Sequence, residues 1–328
     1  MNSKLTAYFY PFEHDNQFIG KNQNALRDLG FRICRVTTLM SLRALSNRRN
    51  NITVLNWIED QKYRRSYSFL KAYAVFFGFL GLILVSKIVS KKVVWIKHNL
   101  KPHNASGYAI CHRLTCVWFQ ILNIKPIGLE EYYGAKTLKH PLYVEDADIM
   151  QNIALSREPD KPPTVLFFGA IKPYKNLHIA LAHWPTNLPL KIRGKVQSAS
   201  YEQQLTSIIE NRKLKVDWKN ELISDAELNT NLKNSDFVLL PHADGSMISS
   251  GSFYHGISLG CNIICFDSVF ARHKTKQFPF THIFDPKTLS VEWLQSRKIL
   301  REEVLKIVLK NYGKQQLVNS WKSILSIA

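Results

Sequence analysis

Twice along this chain, short runs of Ile, Val, Leu and Phe bounded by polar residues alternate with longer stretches of helical character, and this alternation restricts the fold more than any other feature. In the first half, residues 5–10, 31–37, 52–57 and 93–97 have the composition of strands. Residues 16–29, ended by Gly30, and residues 69–89 read as helices between them. Strand, helix and strand in that order imply parallel sheets with crossover helices. At 157–163 the sequence becomes Arg-Glu-Pro-Asp-Lys-Pro-Pro, which can continue neither a helix nor a central strand. The break predicts a first domain over 1–158 and a second over 159–328. Beyond it the alternation restarts, with strands expected at 165–168, 190–193, 214–218, 237–240 and 262–266. Ser224 and Glu227 have the spacing of a capping box at a helix start. Residues 291–328 read as helical, and the last helices are expected to pack back on the first domain.

Forty-five per cent hydrophobic residues in 328 give each half a core of its own. The five cysteines form no paired framework, which fits a reducing compartment. Residues 1–10 lack an apolar signal core followed by a cleavage site, so the expectation is a cytoplasmic chain. The formal charge of +19 calls for an anionic partner: nucleic acid, lipid headgroups or phosphorylated ligands. Nucleic acid is disfavoured, because no zinc-finger spacing, RNA-recognition signature or heptad-linked basic helix is present. Residues 69–89 favour an anionic membrane surface. Their uncharged core, from Ala72 to Ser86, is shorter than the ~20 residues a bilayer span needs, and basic residues flank it. That pattern suits a helix lying in the membrane interface; the bland alternative is a buried helix of the first domain.

Two segments carry chemistry. Val165 to Asn176 reads as a buried strand, a turn at Gly169 and a loop holding Lys172 and Lys175 before a helix. A glycine turn with two lysines suits a diphosphate that also faces helix amides, although alone it would be a solvated basic loop. Further on, a strand and a polar loop precede Ser249-Ser250-Gly251-Ser252 at a helix start, where amides and hydroxyls make a second anion site or a simple cap. In the first half, His98 and His103 follow a predicted strand, where a loop at the carboxyl end of a parallel sheet holds ligands. Histidine titrates in the range a general base requires. The Asp146-Ala-Asp148 triplet follows no buried strand, and Cys111, His112 and Cys116 lack the two ligand pairs of a structural zinc site, so no metal site is expected.

The pair of segments resembles the carboxy-terminal domain of GT-B glycosyltransferases, in a bacterial branch akin to family 4 and the xanthan-type β-mannosyltransferases. The resemblance rests on Phe167-Phe168-Gly169, Ile171-Lys172-Pro173-Tyr174-Lys175, Ile223-Ser224-Asp225-Ala226-Glu227-Leu228 and Ser249-Ser250-Gly251-Ser252, in that order. In the first half, Asn16-Gln17-Phe18 and the run from Trp95 to Asn104 are similar to further motifs of that branch. The chain departs from it in having Leu55-Asn56-Trp57 where a histidine often precedes the tryptophan, and in lacking the E-x7-E pair. The resemblance implies an α/β fold of two Rossmann-like domains with a cleft between them. It implies a GDP- or UDP-linked sugar donor held by the second domain, with Gly169, Lys172, Lys175, Ser250, Gly251 and Ser252 on its diphosphate. It also implies a glycan or polyprenyl-diphosphate-linked acceptor at the inner face of the cell membrane, with His98 and His103 as catalytic candidates. Fixed cations and amides on the leaving diphosphate require neither a metal nor a cofactor. A non-catalytic membrane-associated binding protein and a nucleotide-sugar epimerase are the competing readings.

Overall fold

Among the described residues every strand pairing is parallel, and the crossover helices this demands separate the strands in sequence. The computed structural model describes residues 5–58, 68–100, 109–134, 136–155, 162–242 and 248–327. These residues divide into two compact units. The first comprises Met1–Pro141, Ser246–Ser249 and Lys314–Ala328, and the second Leu142–Gly245 and Ser250–Gly313. The proline-rich stretch that suggested a boundary lies largely outside the described residues.

The first unit runs β1 (Thr6–Tyr10), α1 (Gln17–Asp28), β2 (Arg32–Arg35), α2 (Leu42–Ser46), β3 (Asn51–Asn56), α3 (Phe69–Val89), β4 (Lys92–Ile96), α4 (Ala109–Ile121) and β5 (Pro126–Ile127). Its sheet has the order β2-β1-β3-β4-β5. That order reverses between β1 and β3, the switch point at which open α/β sheets bind ligands. Asn16 caps α1 by accepting from the Phe18 amide at 2.9 Å. The strand expected at 31–37 stops at Arg35, because Val36–Leu39 coil into a 3-10 turn that buries Val36 and Leu39.

The second unit runs α5 (Asp146–Leu155), β6 (Val165–Phe168), α6 (Leu177–Ala182), β7 (Leu190–Arg193), α7 (Ala199–Asn211), β8 (Val216–Lys219), α8 (Asp225–Lys233), β9 (Phe237–Leu240), α9 (Gly251–Ser258), β10 (Asn262–Cys265), α10 (Val269–Gln277), β11 (Thr281–Ile283), α11 (Val291–Arg297) and α12 (Arg301–Tyr312). Its strand order is β11-β10-β9-β6-β7-β8, the Rossmann arrangement, with its switch point between β6 and β9. Ser224 caps α8 by accepting from the Glu227 amide at 3.2 Å.

One further helix, α13 (Lys314–Leu325), closes the chain and belongs to the first unit. Trp321, with no exposed surface, enters the core that holds Phe9, Phe18, Leu26 and Val54. Its indole donates to Asn22 Oδ1 at 2.9 Å, while Asn22 donates to the Phe18 carbonyl at 2.8 Å. A fully buried asparagine is thereby satisfied.

Candidate functional site

At the switch point of the second unit, two loops leave neighbouring strands. β6 and β9 run side by side, Val165 opposite Phe237 and Leu166 opposite Val238, so Gly169 and Pro241 emerge at the same edge of the sheet. Gly169 turns the chain at φ +97°, a conformation that disfavours a side chain. Its amide donates to the Arg193 carbonyl at 2.9 Å, which ties the turn to the end of β7. Gly194 is required there, because a Cβ on it would lie 2.9 Å from the Gly169 carbonyl carbon and collide with its oxygen.

The chain then makes a 3-10 turn over Pro173–Lys175. The turn folds Lys175 back so that its ammonium lies 3.4 Å from where a Gly169 Cβ would stand. Lys175 is half-buried. Burial, and then the neighbouring Lys172 charge, push its pKa down to about 8. Two cations held close at a strand end gain from an anion between them.

The second loop ends at α9. Ser250 is buried and caps the helix, accepting from the Phe253 amide at 3.3 Å and pairing with His242 Nε2 at 3.2 Å. Its hydroxyl is therefore committed to the helix start. Ser249 is committed too, donating to Glu130 Oε1 at 2.8 Å within the first unit. The amides of Gly251 and Ser252 have no intrahelical carbonyl within reach and, with the helix dipole behind them, form an anion-attracting end. One turn along α9, His255 packs edge-on against Phe168 at 5.7 Å. Tyr143 stacks on His255 at 4.7 Å, and its hydroxyl would meet a Cβ on Gly251 at 2.8 Å. The end of β6 and the start of α9 are thus packed into one aromatic cluster. Burial lowers the His255 pKa to about 4, so this ring is neutral. It also raises the Tyr143 hydroxyl to about 12, with Asp225 adding to the shift.

In the first unit, His98 follows β4 and is buried. It stacks on Trp57 at 4.2 Å and meets Phe18 edge-on at 4.9 Å. His14 also stacks on Trp57, and His140 packs against Phe18. Asn56 Nδ2 donates to the Tyr10 carbonyl at 3.2 Å, which turns Asn56 Oδ1 towards His98 Nε2 at 3.1 Å. The His98 proton therefore sits on Nε2, leaving Nδ1 as the basic nitrogen. Burial, followed by His140 and His14, holds its pKa well below the usual imidazole range, so the ring is neutral. His103 lies outside the described residues.

The asparagine that stands where the resemblance led to a histidine is thus the group that orients His98. Asn56, Trp57 and Tyr143 were not legible as site residues, because strand order brings them in from distant positions. Asp146 and Asp148 occupy the first turn of α5. Among the described residues, no three His, Cys, Asp or Glu side chains form a group able to hold a metal ion.

No protein-family model and no curated protein matches the chain. Solved structures do. A glycosyltransferase from Rickettsia africae superposes with a TM-score of 0.59 at 13% identity, over 100% of both chains. AviGT4, a glycosyltransferase involved in avilamycin A biosynthesis, gives 0.58 at 13% identity, over 99% of each chain. Anabaena HepE, solved in complex with UDP and glucose, gives 0.56 at 10% identity, over 99% of this chain and 100% of its own. At these identities the likeness defines the fold. It is the GT-B fold of glycosyltransferases, built from two parallel-sheet Rossmann-like units.

Proposed function

We propose that this chain is a glycosyltransferase of the family 4-like or xanthan-type branch that takes a nucleoside-diphosphate sugar at the β6–β9 switch point. One observation carries the reading: the Gly169–Lys175 turn and the loop to α9 leave adjacent strands where the sheet order reverses, and Phe168 at the end of β6 packs on His255 of α9, on which Tyr143 stacks. The donor is UDP- or GDP-linked. As the bond from the anomeric carbon to the diphosphate oxygen breaks, negative charge grows on the leaving group. Lys172, Lys175 and the Gly251 and Ser252 amides meet that charge without having to reorganise, which is the source of such stabilisation and needs no metal.

The acceptor hydroxyl forms the new bond to the anomeric carbon and gives up its proton. His98 is the assigned base, neutral and with Nδ1 available by its tautomer. The acceptor is a lipid-linked or growing cell-surface glycan, met by a protein that works at the cytoplasmic face of the membrane.

A panel of UDP- and GDP-sugars, assayed for nucleotide release and glycan extension with and without EDTA, tests this. Lys172→Ala with Lys175→Ala is expected to raise the donor KM and slow transfer by at least about tenfold. Unchanged kinetics would remove the lysines from the donor site, and His98→Ala at full turnover would remove the base.

A further inference from the structure

The exposed apolar surface of the first unit is wider than one helix, and the placement of α3 on the sheet is incompatible with a simple span. We propose that α2, α3 and α4 of the first unit form one continuous surface that beds into the headgroup–acyl boundary of an anionic bilayer, with α3 lying in the membrane plane. This deepens the reading of a membrane-borne acceptor, although its observations do not depend on sugar transfer.

α3 is long and apolar enough to cross a membrane, yet it is the crossover between β3 and β4, which pair in parallel from Ile52↔Lys92 to Asn56↔Ile96. A crossover helix must lie on the sheet whose strands it joins. α3 does so, burying Ala72, Phe76, Ile83 and Val89. Spanning the bilayer would tear it from those strands.

The face of α3 turned away from the sheet is nevertheless apolar. Leu70, Phe77, Leu84 and Ile88 are exposed, and only 28% of its most apolar stretch is buried. A crossover helix meant for water carries charges there. Here the charges are Lys71 and Lys87, at its two ends.

α4 continues the surface. It lies beside α3, with the Trp118 indole donating to the Leu80 carbonyl at 3.0 Å. Its own exposed stripe is Ile110, Leu114, Val117 and Ile121, at helical spacing along one side. On the other flank α2 packs against α3, and Met40 and Leu42 are 74% and 87% exposed. Of the 22 large hydrophobic residues exposed among the described residues, 12 lie on these three helices and the turn before α2. Patches this extended mark an interaction site.

Charge selects the occupant. From Gln61 to Leu129 the sequence contains no Asp or Glu and eleven Lys and Arg. Apolar residues rimmed by cations match an anionic lipid surface. A second copy of the chain would set cations against cations, and nucleic acid would leave the apolar stripes without a partner.

The full-length protein is tested by flotation with phosphatidylethanolamine–phosphatidylglycerol vesicles and with phosphatidylcholine vesicles. It is expected to float with the anionic vesicles, to bind phosphatidylcholine at least about tenfold more weakly, and to be released by alkaline carbonate. Leu114→Glu with Val117→Glu, both exposed, should weaken binding at least about tenfold while the thermal midpoint holds. Should that pair misfold, Lys87→Gln with Arg113→Gln is the second variant, expected to weaken binding several-fold and to flatten its salt dependence.

No binding to anionic vesicles, a dimer in sedimentation that buries this face, or resistance to carbonate would each overturn the proposal. Unaltered binding by both variants would remove α4. Transfer to a detergent-dispersed acceptor, run on the same variants, should be unchanged, so failure of the surface and failure of the transferase reading are distinguishable.

Discussion

An ammonium drawn out of water beside another ammonium is a poor holder of positive charge until an anion arrives, and Lys175 is in that position. Burial and Lys172 bring its pKa to about 8, and a diphosphate bound beside it would favour the charged form again. The sign follows. Below about pH 8 the free protein already carries the proton, so donor affinity is level there. Above it, binding must take up a proton, and the donor Kd climbs towards about tenfold per pH unit until the pKa of the complex is reached. Calorimetric titration of UDP or GDP between about pH 7 and 9.5, in buffers of different ionisation enthalpy, should show both the climb and the proton uptake. Lys175→Met should bind weakly and without the climb. A wild-type Kd level throughout would detach Lys175 from the donor. His98 presents the opposite case: burial holds its pKa well below the usual imidazole range, so the role proposed for it rests on an oriented Nδ1 and not on a titration near neutrality.

Among the elements, the β6–β7 ends are where tight packing supports the site. Gly169 and Gly194 approach too closely for either strand end to shift independently, since the Gly169 amide is bonded to Arg193 and the Ile171 amide to the Lys195 carbonyl at 3.1 Å. Gly194→Ala should cost about 1–3 kcal/mol in urea unfolding by forcing these backbones apart. It should also weaken donor binding, because Lys172 and Lys175 ride on the displaced turn; a variant as stable and as tight-binding as the parent would contradict this packing. The strands themselves show when a sequence declares its elements. β6 and β9 fall at their expected bounds because each is a wholly buried apolar run between polar turns, and β7 does so because Leu190 and Ile192 alternate with Lys191 and Arg193. β8 starts two residues late, since Leu214 is tied by its amide to Ile209 at the end of α7, and the half-exposed edge strand has no continuous apolar run to mark it. β5 and β11 escaped notice altogether: one is a two-residue edge piece opening on proline, the other a short Thr-His-Ile.

Across the whole molecule, the Gly169 turn and the serine-capped start of α9 were legible because glycine and small polar residues leave a local signature. Asn56, Trp57 and Tyr143 were not, because their positions come from parallel strand order, which no local periodicity encodes. The same holds for Trp321, whose apolar neighbours lie some three hundred residues away in the chain. Trp321→Ala should destabilise the first unit by about 3–5 kcal/mol, through the cavity and the orphaned Asn22 oxygen. A thermal melt resolving the two units would place the loss in the first, and an unaltered midpoint would mean that the last helix is dispensable. The return of that helix to the unit where the chain began sets a condition on any engineered hybrid. A gene cut once near residue 141 yields an amino-terminal fragment with an open hole where the indole belongs. Chimeras meant to exchange acceptor preference must therefore transplant the final fifteen or so codons along with the opening segment, or join the two by circular permutation.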